Sequence, residues 1–316
     1  MNEYFSTKQC DFIKSPGIVK LMNCGSLENL HRNANFQPKF SDGLCLAYKH
    51  ILAPNATFNF RYVLSQTLPS GMRMGCILRP KMRDHIIDTP QLEADINPSS
   101  LTTNLSVQYH PIPALRLRFS AQLLPRVWLQ NDRGDRKWHD NISLCAEYYA
   151  RHSTSTISLY NPSPNSGRLT LTQLKSYSSR LAFGFELLTE WENHNLSVII
   201  PAIGGRYFLR DKSIAATLSF RGIDFTFWHL INCDNQLATS FIYNRKNNRS
   251  LGTVFYQWMY DDIRVRGSID SDGAIGVTCF SRINDLGCNA ELSLLHCIPT
   301  QKFSLGLKFE FDSAFD

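Results

Sequence analysis

The sequence predicts an all-β membrane protein: a transmembrane β-barrel of roughly nineteen strands with a short helical segment before it. Three observations predict it. Alternating apolar and polar residues recur from about Gly43 to the C-terminus, turn residues punctuate them, and the composition is poor in charge and rich in aromatics. Charged residues make up 19% of the 316-residue chain and aromatic residues 12%. That balance suits a barrel with an apolar outer band. No run of eighteen apolar residues is present, which makes spanning helices unexpected, but barrels cross a bilayer by alternation instead.

The first forty residues differ from the rest and form the expected N-terminal segment (1–40), with the barrel over 41–316. Ile18, Leu21, Met22, Leu27 and Leu30 recur at helical spacing, and Ser26 with Asn29 is a weak N-terminal signal. One or two short helices are expected, and short helices need a surface to pack on.

Strand-like pieces follow in order. Phe58, Phe60 and Tyr62 alternate with Asn59 and Arg61; Leu115, Leu117 and Phe119 alternate with Arg116 and Arg118, and Pro125 ends that ladder. Leu181, Phe183, Phe185 and Leu187 enclose Ala182, Gly184 and Glu186; Ile263 and Val265 alternate with Arg264 and Arg266. Ala290, Leu292 and Leu294 form another set, and Phe303, Leu305, Leu307, Phe309 and Phe311 the last and clearest one. Successive side chains on a strand point to opposite faces, so each piece has an oily side and a polar side. Turns are expected at Asn161–Gly167, Gly204-Gly205, Arg221-Gly222, Asn247-Asn248 and Asp270–Gly273.

So many strands argue for closure. An open sheet would leave long unpaired edges, and in lipid each unpaired backbone group costs several kcal/mol. A soluble β-rich scaffold is the alternative that the alternation alone leaves open.

Little in the chain suggests chemistry. Phosphate-loop, nucleophile-elbow and metalloprotease motifs are absent, the nine histidines are scattered, and no cofactor or metal is expected. The formal charge of +6 comes without a basic tail, and nucleic acid is not expected as a partner. Nine cysteines lack metal spacing and cannot all pair within one chain, so mostly reduced thiols are expected. The polar strand faces remain. Placing Lys or Arg at mid-depth on the lipid side costs about 2–4 kcal/mol, so Arg61, Arg116, Arg118, Glu186, Asp224, Arg264, Arg266, Lys308 and Glu310 are expected to line the lumen.

These residues carry a family resemblance. Ser15-Pro16-Gly17, Glu28-Asn29-Leu30-His31-Arg32, Tyr149-Ala150-Arg151, Ile157–Pro162, Leu181–Leu187 and Arg266–Ser271 stand in an order that resembles the channel-forming β-barrel subunit of the mitochondrial outer-membrane protein translocase. The resemblance implies nineteen strands closed by a parallel first-to-last pairing, an N-terminal segment inside the lumen, and no enzymatic activity. It implies residence in the mitochondrial outer membrane and transport of unfolded precursor proteins. Implied partners are receptor subunits, small single-helix subunits, further barrel subunits and membrane lipids. Lys302, Gly306, Leu307, Phe309 and Phe311 resemble the family's C-terminal sorting signal. The family tends to acidic lumen patches, whereas Arg61, Arg116, Arg118, Arg264 and Arg266 make part of this wall basic. A metabolite porin like the voltage-dependent anion channel shares the architecture and suits such a wall.

Overall fold

The computed structural model describes residues 27–34, 36–65, 70–80, 89–112, 114–123, 141–163, 165–192, 195–283 and 287–313. Ile18, Leu21, Met22, Ser26 and Pro125 lie outside this set. A 3-10 helix, Leu27–Ala34, precedes the strands. The strands are β1 (Gly43–Ala53), β2 (Ala56–Leu64), β3 (Gly71–Leu78), β4 (Gln91–Asn97), β5 (Thr102–Ile112), β6 (Leu115–Leu123), β7 (Asn141–Tyr149), β8 (Ser153–Tyr160) and β9 (Ser166–Ser176). They continue as β10 (Leu181–Glu192), β11 (Asn195–Phe208), β12 (Lys212–Ser219), β13 (Gly222–Leu230) and β14 (Asn235–Asn244). The last five are β15 (Arg249–Tyr260), β16 (Ile263–Asp270), β17 (Ala274–Ile283), β18 (Cys288–Cys297) and β19 (Lys302–Ser313).

Each strand pairs antiparallel with the next, and β1 pairs with β19, so the nineteen-stranded sheet closes. An odd number of alternately directed strands leaves the first and last running the same way. The seam is therefore parallel, with Gly43 opposite Gly306, Leu44 opposite Leu307 and Cys45 opposite Lys308. Closure removes both edges, as a barrel in lipid requires.

The period of two in the sequence becomes two faces. Phe303, Leu305, Leu307 and Phe311 of β19 are all exposed, Phe303 by 65%. They pair with His296, Leu294, Leu292 and Cys288 of β18, and the same face carries exposed Phe183 and Phe185 on β10, Ile203 on β11 and Phe225 on β13. A soluble sheet does not leave a continuous apolar surface of this extent uncovered, whereas a lipid-facing band must. Inside, the walls are built from Ser, Thr, Gln and Ala with charged residues among them. Buried Thr154, Thr156, Ser158, Thr172 and Thr226 are typical.

Two expectations change. Gly204-Gly205 is not a turn but lies in the middle of β11, paired with Gly184 and Phe183 of β10. The other four expected turns do join strands: β8 to β9, β12 to β13, β14 to β15 and β16 to β17. The N-terminal helix takes 3-10 form. Cys45, Cys76, Cys145, Cys279, Cys288 and Cys297 are free thiols, while Cys233 is disulfide-bonded.

Candidate functional site: the inner wall and its crossing segment

The chain from Leu27 to Asp42 crosses the inner wall from β9 to β19 before entering β1. Leu27 and Leu30 are buried in a cluster with Leu174 of β9, Ala182 of β10, Ala202 of β11 and Ala215 of β12. The small residues opposite make room for the leucines. A Cβ at Gly184 would collide with Leu27 and Leu174, and one at Gly204 would come within 2.8 Å of Leu30 Cδ1. That close approach is the physical reason for glycine in mid-strand. Farther on, Ala34 and Phe36 pack with Trp228, Ala238 and Phe255 of β13, β14 and β15. The Phe36 and Phe255 rings meet edge-on at 6.2 Å, and Phe40 covers Gly276 of β17.

Polar contacts fix the segment's register. The backbone N–H of Leu27 donates to Glu186 Oε2 at 3.2 Å, which also accepts from Thr172 Oγ1 at 3.1 Å. His31 bridges two strands, with Nε2 2.8 Å from Thr217 Oγ1 of β12 and Nδ1 2.8 Å from Thr226 Oγ1 of β13. Burial, helped by the Arg206 guanidinium, holds the His31 imidazole below its ordinary range. At the seam, Ser41 N–H donates to Ser293 Oγ at 3.1 Å, and Ser293 Oγ donates back to Ser41 O at 2.8 Å.

Each residue expected in the lumen falls on this polar face, but they do not form one cluster. Arg61 of β2 sits opposite Arg73 of β3 and donates to Cys45 Sγ at 3.3 Å. Arg116 of β6 is only 7% exposed, because it is paired with Glu147 of β7. Arg118, one row away, is exposed opposite Cys145. Glu186 serves the crossing segment. Asp224 lies opposite Thr217, one of the two partners of His31. Arg264 packs over the Phe280 ring at 5.4 Å, and Arg266 donates to Gln257 Oε1 at 2.7 Å. Lys308 reaches Glu310 at 3.3 Å, and Glu310 is shared with Lys49.

Of the residues expected at the C-terminal signal, Lys302 and Gly306 lie on the inner face, whereas Leu307, Phe309 and Phe311 lie on the apolar face. Gly306 has a steric reason to be glycine, since a Cβ there would collide with the Ser41 carbonyl oxygen and Ser293 Oγ.

Several wall residues escape sequence reasoning. Arg73 stands in the alternating Met72-Arg73-Met74 run, which is a usable signal. Glu147, Arg206, Thr217 and Thr226 give none, because only the cross-barrel contact makes them matter. Among the described residues, no group of three or more His, Cys, Asp or Glu converges as a metal site. The described wall offers charge and hydrogen-bonding groups along its inner face.

Known proteins resemble the chain in sequence and in shape. The mitochondrial import receptor subunit TOM40 homolog of Xenopus laevis is 25% identical over 170 residues, covering 52% of this chain and 50% of that protein. The match thus spans about half the length of that relative. Among solved structures, a mutant of the Rhodopseudomonas blastica porin is 10% identical with a TM-score of 0.46, over 79% of this chain and 94% of that chain. A second mutant of that porin gives 10% and 0.46 over 83% and 96% of the two chains. Residues 23–306 match the eukaryotic porin family. With a closed membrane barrel and a match over most of its length, the chain belongs to the eukaryotic porins.

Proposed function

We propose that the protein is a passive diffusion channel of the mitochondrial outer membrane that prefers small anions. The observation that carries this reading is a set of inner-wall arginines that, among the described residues, no carboxylate holds in a salt bridge. Four wall carboxylates already hold a cation: Glu147 has Arg116, Glu190 has Arg168 and Arg221, Asp95 has Arg73, and Glu310 has Lys49 and Lys308. Among the described residues, Arg61, Arg118, Arg264 and Arg266 form no salt bridge; Arg61, Arg264 and Arg266 rest on sulfur, ring and amide. Cations left over on a wall of low dielectric raise the local concentration of anions and speed their entry. The match to the eukaryotic porin family and the name of the Xenopus relative support the mitochondrial setting.

A second reading is a protein-conducting channel for unfolded precursors, working with receptor and small single-helix subunits. The Xenopus relative's name favours it, as does the gathering of Glu28, Glu186 and Asp224 around the crossing segment, a surface suited to basic peptides. In either reading we take the C-terminal strand, through Lys302, Gly306, Leu307, Phe309 and Phe311, as the element the insertion machinery recognises.

One experiment separates the readings. Purified protein is inserted into a planar bilayer under a potassium chloride gradient, and the reversal potential is recorded before and after adding a basic presequence peptide. Anion preference with indifference to the peptide supports the diffusion channel. Cation preference with peptide block transfers the assignment to protein conduction.

A further inference from the structure

At one mouth of the barrel the apolar outer face gives way to a ledge of cations. The turns β7–β8 (150–152), β9–β10 (177–180) and β11–β12 (209–211) stand side by side there. Backbone bonds tie them together: Ser176 N–H donates to His152 O at 2.8 Å, and Phe208 N–H donates to Arg180 O at 2.7 Å. Arg151, Lys175, Arg180, Arg210 and Lys212 are all exposed along this ledge. Asp211 is the single carboxylate within residues 148–154, 174–183 and 207–214. Among the described residues, no carboxylate holds any of these cations in a salt bridge. Gathered like charges repel one another and attract anions.

The ledge runs into the lipid-facing band. Lys175 sits opposite Phe183 of β10, itself exposed, so it belongs to the apolar face. Lys212 shares that face, opposite His229. Exposed Tyr148, Tyr177 and Tyr207 stand around the same strand ends. Aromatic rings and lysines with long apolar stems at strand ends mark the headgroup region of a bilayer. Two residues farther from the mouth, Gln173 faces Ser155 on the same outer surface and has exposed Phe185 on its other side. Neither polar side chain has a hydrogen-bond partner among the described residues, and hydrocarbon supplies none. At about 3.3 Å per residue, Gln173 lies ~7 Å deeper along the strand than Lys175. Cation above and amide below is the order in which a phospholipid presents its phosphate and then its ester carbonyls.

We propose that this ledge binds the headgroup of an anionic phospholipid from the surrounding leaflet. Lys175, Arg151 and Arg180 take the phosphate oxygens, to which guanidinium forks and ammonium groups are well matched. The Gln173 amide and the Ser155 hydroxyl donate to the ester carbonyls. Arg210 and Lys212 extend the attraction along the rim and disfavour a headgroup that carries its own cation. The ester contacts distinguish a lipid from a free phosphate.

Native mass spectrometry of the whole folded barrel in detergent, titrated with phosphatidylglycerol or with phosphatidylcholine of the same chains, gives an apparent Kd for each lipid. Phosphatidylglycerol should bind more tightly. Lys175→Gln and Arg180→Gln should each weaken it about fivefold, the worth of one cation beside an anionic bilayer surface. Gln173→Leu keeps the charge and should weaken it about two- to tenfold, the range for one lost hydrogen bond. Arg245→Gln combined with Lys246→Gln removes two exposed cations from the β14–β15 turn at the opposite mouth. That variant should leave the Kd within about twofold, because charges farther apart than a Debye length are screened. Equal binding of the two lipids, an unchanged Kd for Gln173→Leu, or equal weakening by Lys175→Gln and the opposite-mouth variant overturns the proposal. So does displacement of phosphatidylglycerol by equimolar glycerol 3-phosphate, which would assign the ledge to a free phosphate. Binding of polyglutamate without binding of phosphatidylglycerol overturns it as well, in favour of an acidic protein.

Discussion

Leu30 Cδ1 covers Gly204 so closely that a Cβ at that position would come within 2.8 Å of it, and within 2.9 Å of Thr217 Oγ1. The same strand supplies Ala202 and Arg206 on either side, both buried. Gly204 is thus the floor of the seat that holds the 3-10 helix. Gly204→Val should unseat Leu30 at a cost of about 1–3 kcal/mol, the usual range for overpacking. Denaturant unfolding in detergent micelles would show a lower midpoint, and unit conductance would change as the segment shifts. An unchanged midpoint with unchanged conductance would mean that Leu30 is not held there.

His31 gives the seat a pH dependence. Its folded-state pKa lies below the ordinary 6.5, chiefly through burial and then through Arg206. Above the unfolded value the ring is neutral in both states, and the stabilising contacts are fully present. As pH falls through 6.5 the unfolded chain takes up a proton that the folded chain refuses, so stability is lost until the folded pKa is passed. The slope cannot exceed one proton, about 1.4 kcal/mol per pH unit. Unfolding free energies of the unmodified protein and His31→Gln, measured from pH 8 to 5, should diverge below about pH 6.5. Parallel curves would remove His31 as the cause.

A buried ion pair among the described residues of the inner wall makes a different prediction. Arg116 and Glu147 are both nearly inaccessible, and Glu147 also accepts the Tyr149 hydroxyl. Removing one partner takes the ion pair away from a charge that stays buried. Glu147→Gln should therefore destabilise the barrel by about 3–5 kcal/mol, whereas Arg116→Met with Glu147→Leu should come much closer to the original stability. If the single and double variants unfold at the same denaturant concentration, the pair is not acting as a buried unit.

How much of this was legible beforehand depends on whether a contact is local. The faces of β6, β10 and β19 follow from alternation alone, because Arg116, Glu186 and Phe303 sit in strict period-two runs. Strand β8, Ser153–Tyr160, is harder to read: Ser, Thr and Ile alternate weakly, and Ile157 and the terminal Tyr160 are its large exposed apolar residues. Gly204-Gly205 resembles a turn for as long as Leu30 is unseen, since glycine serves both sharp turns and close approach. The parallel seam joins residues more than 250 positions apart, and no spacing within the chain reports such a register. Thr217 and Thr226 carry no signal either; they matter because His31 reaches them across the lumen.

The last prediction concerns Gly306, whose two possible roles can be separated. A recognition signal acts through insertion machinery, whereas a steric role acts in the barrel itself. The structure supplies the steric role: a side chain at 306 would strike the Ser41 carbonyl and Ser293 Oγ, at the point where Ser41 and Ser293 exchange hydrogen bonds. It is also the residue that faces Gly43 across the parallel seam. Gly306→Ala should therefore impair closure during refolding into detergent micelles, with no machinery present, and lower the unfolding free energy by about 1–3 kcal/mol. Phe311, exposed on the apolar face, makes the useful contrast. Phe311→Leu keeps that face apolar and should refold normally in micelles; any defect it shows in organelle insertion then reports recognition alone. If Gly306→Ala refolds as well as the unmodified protein and fails only in organelles, the crowding at Ser41 is tolerated and recognition explains the glycine.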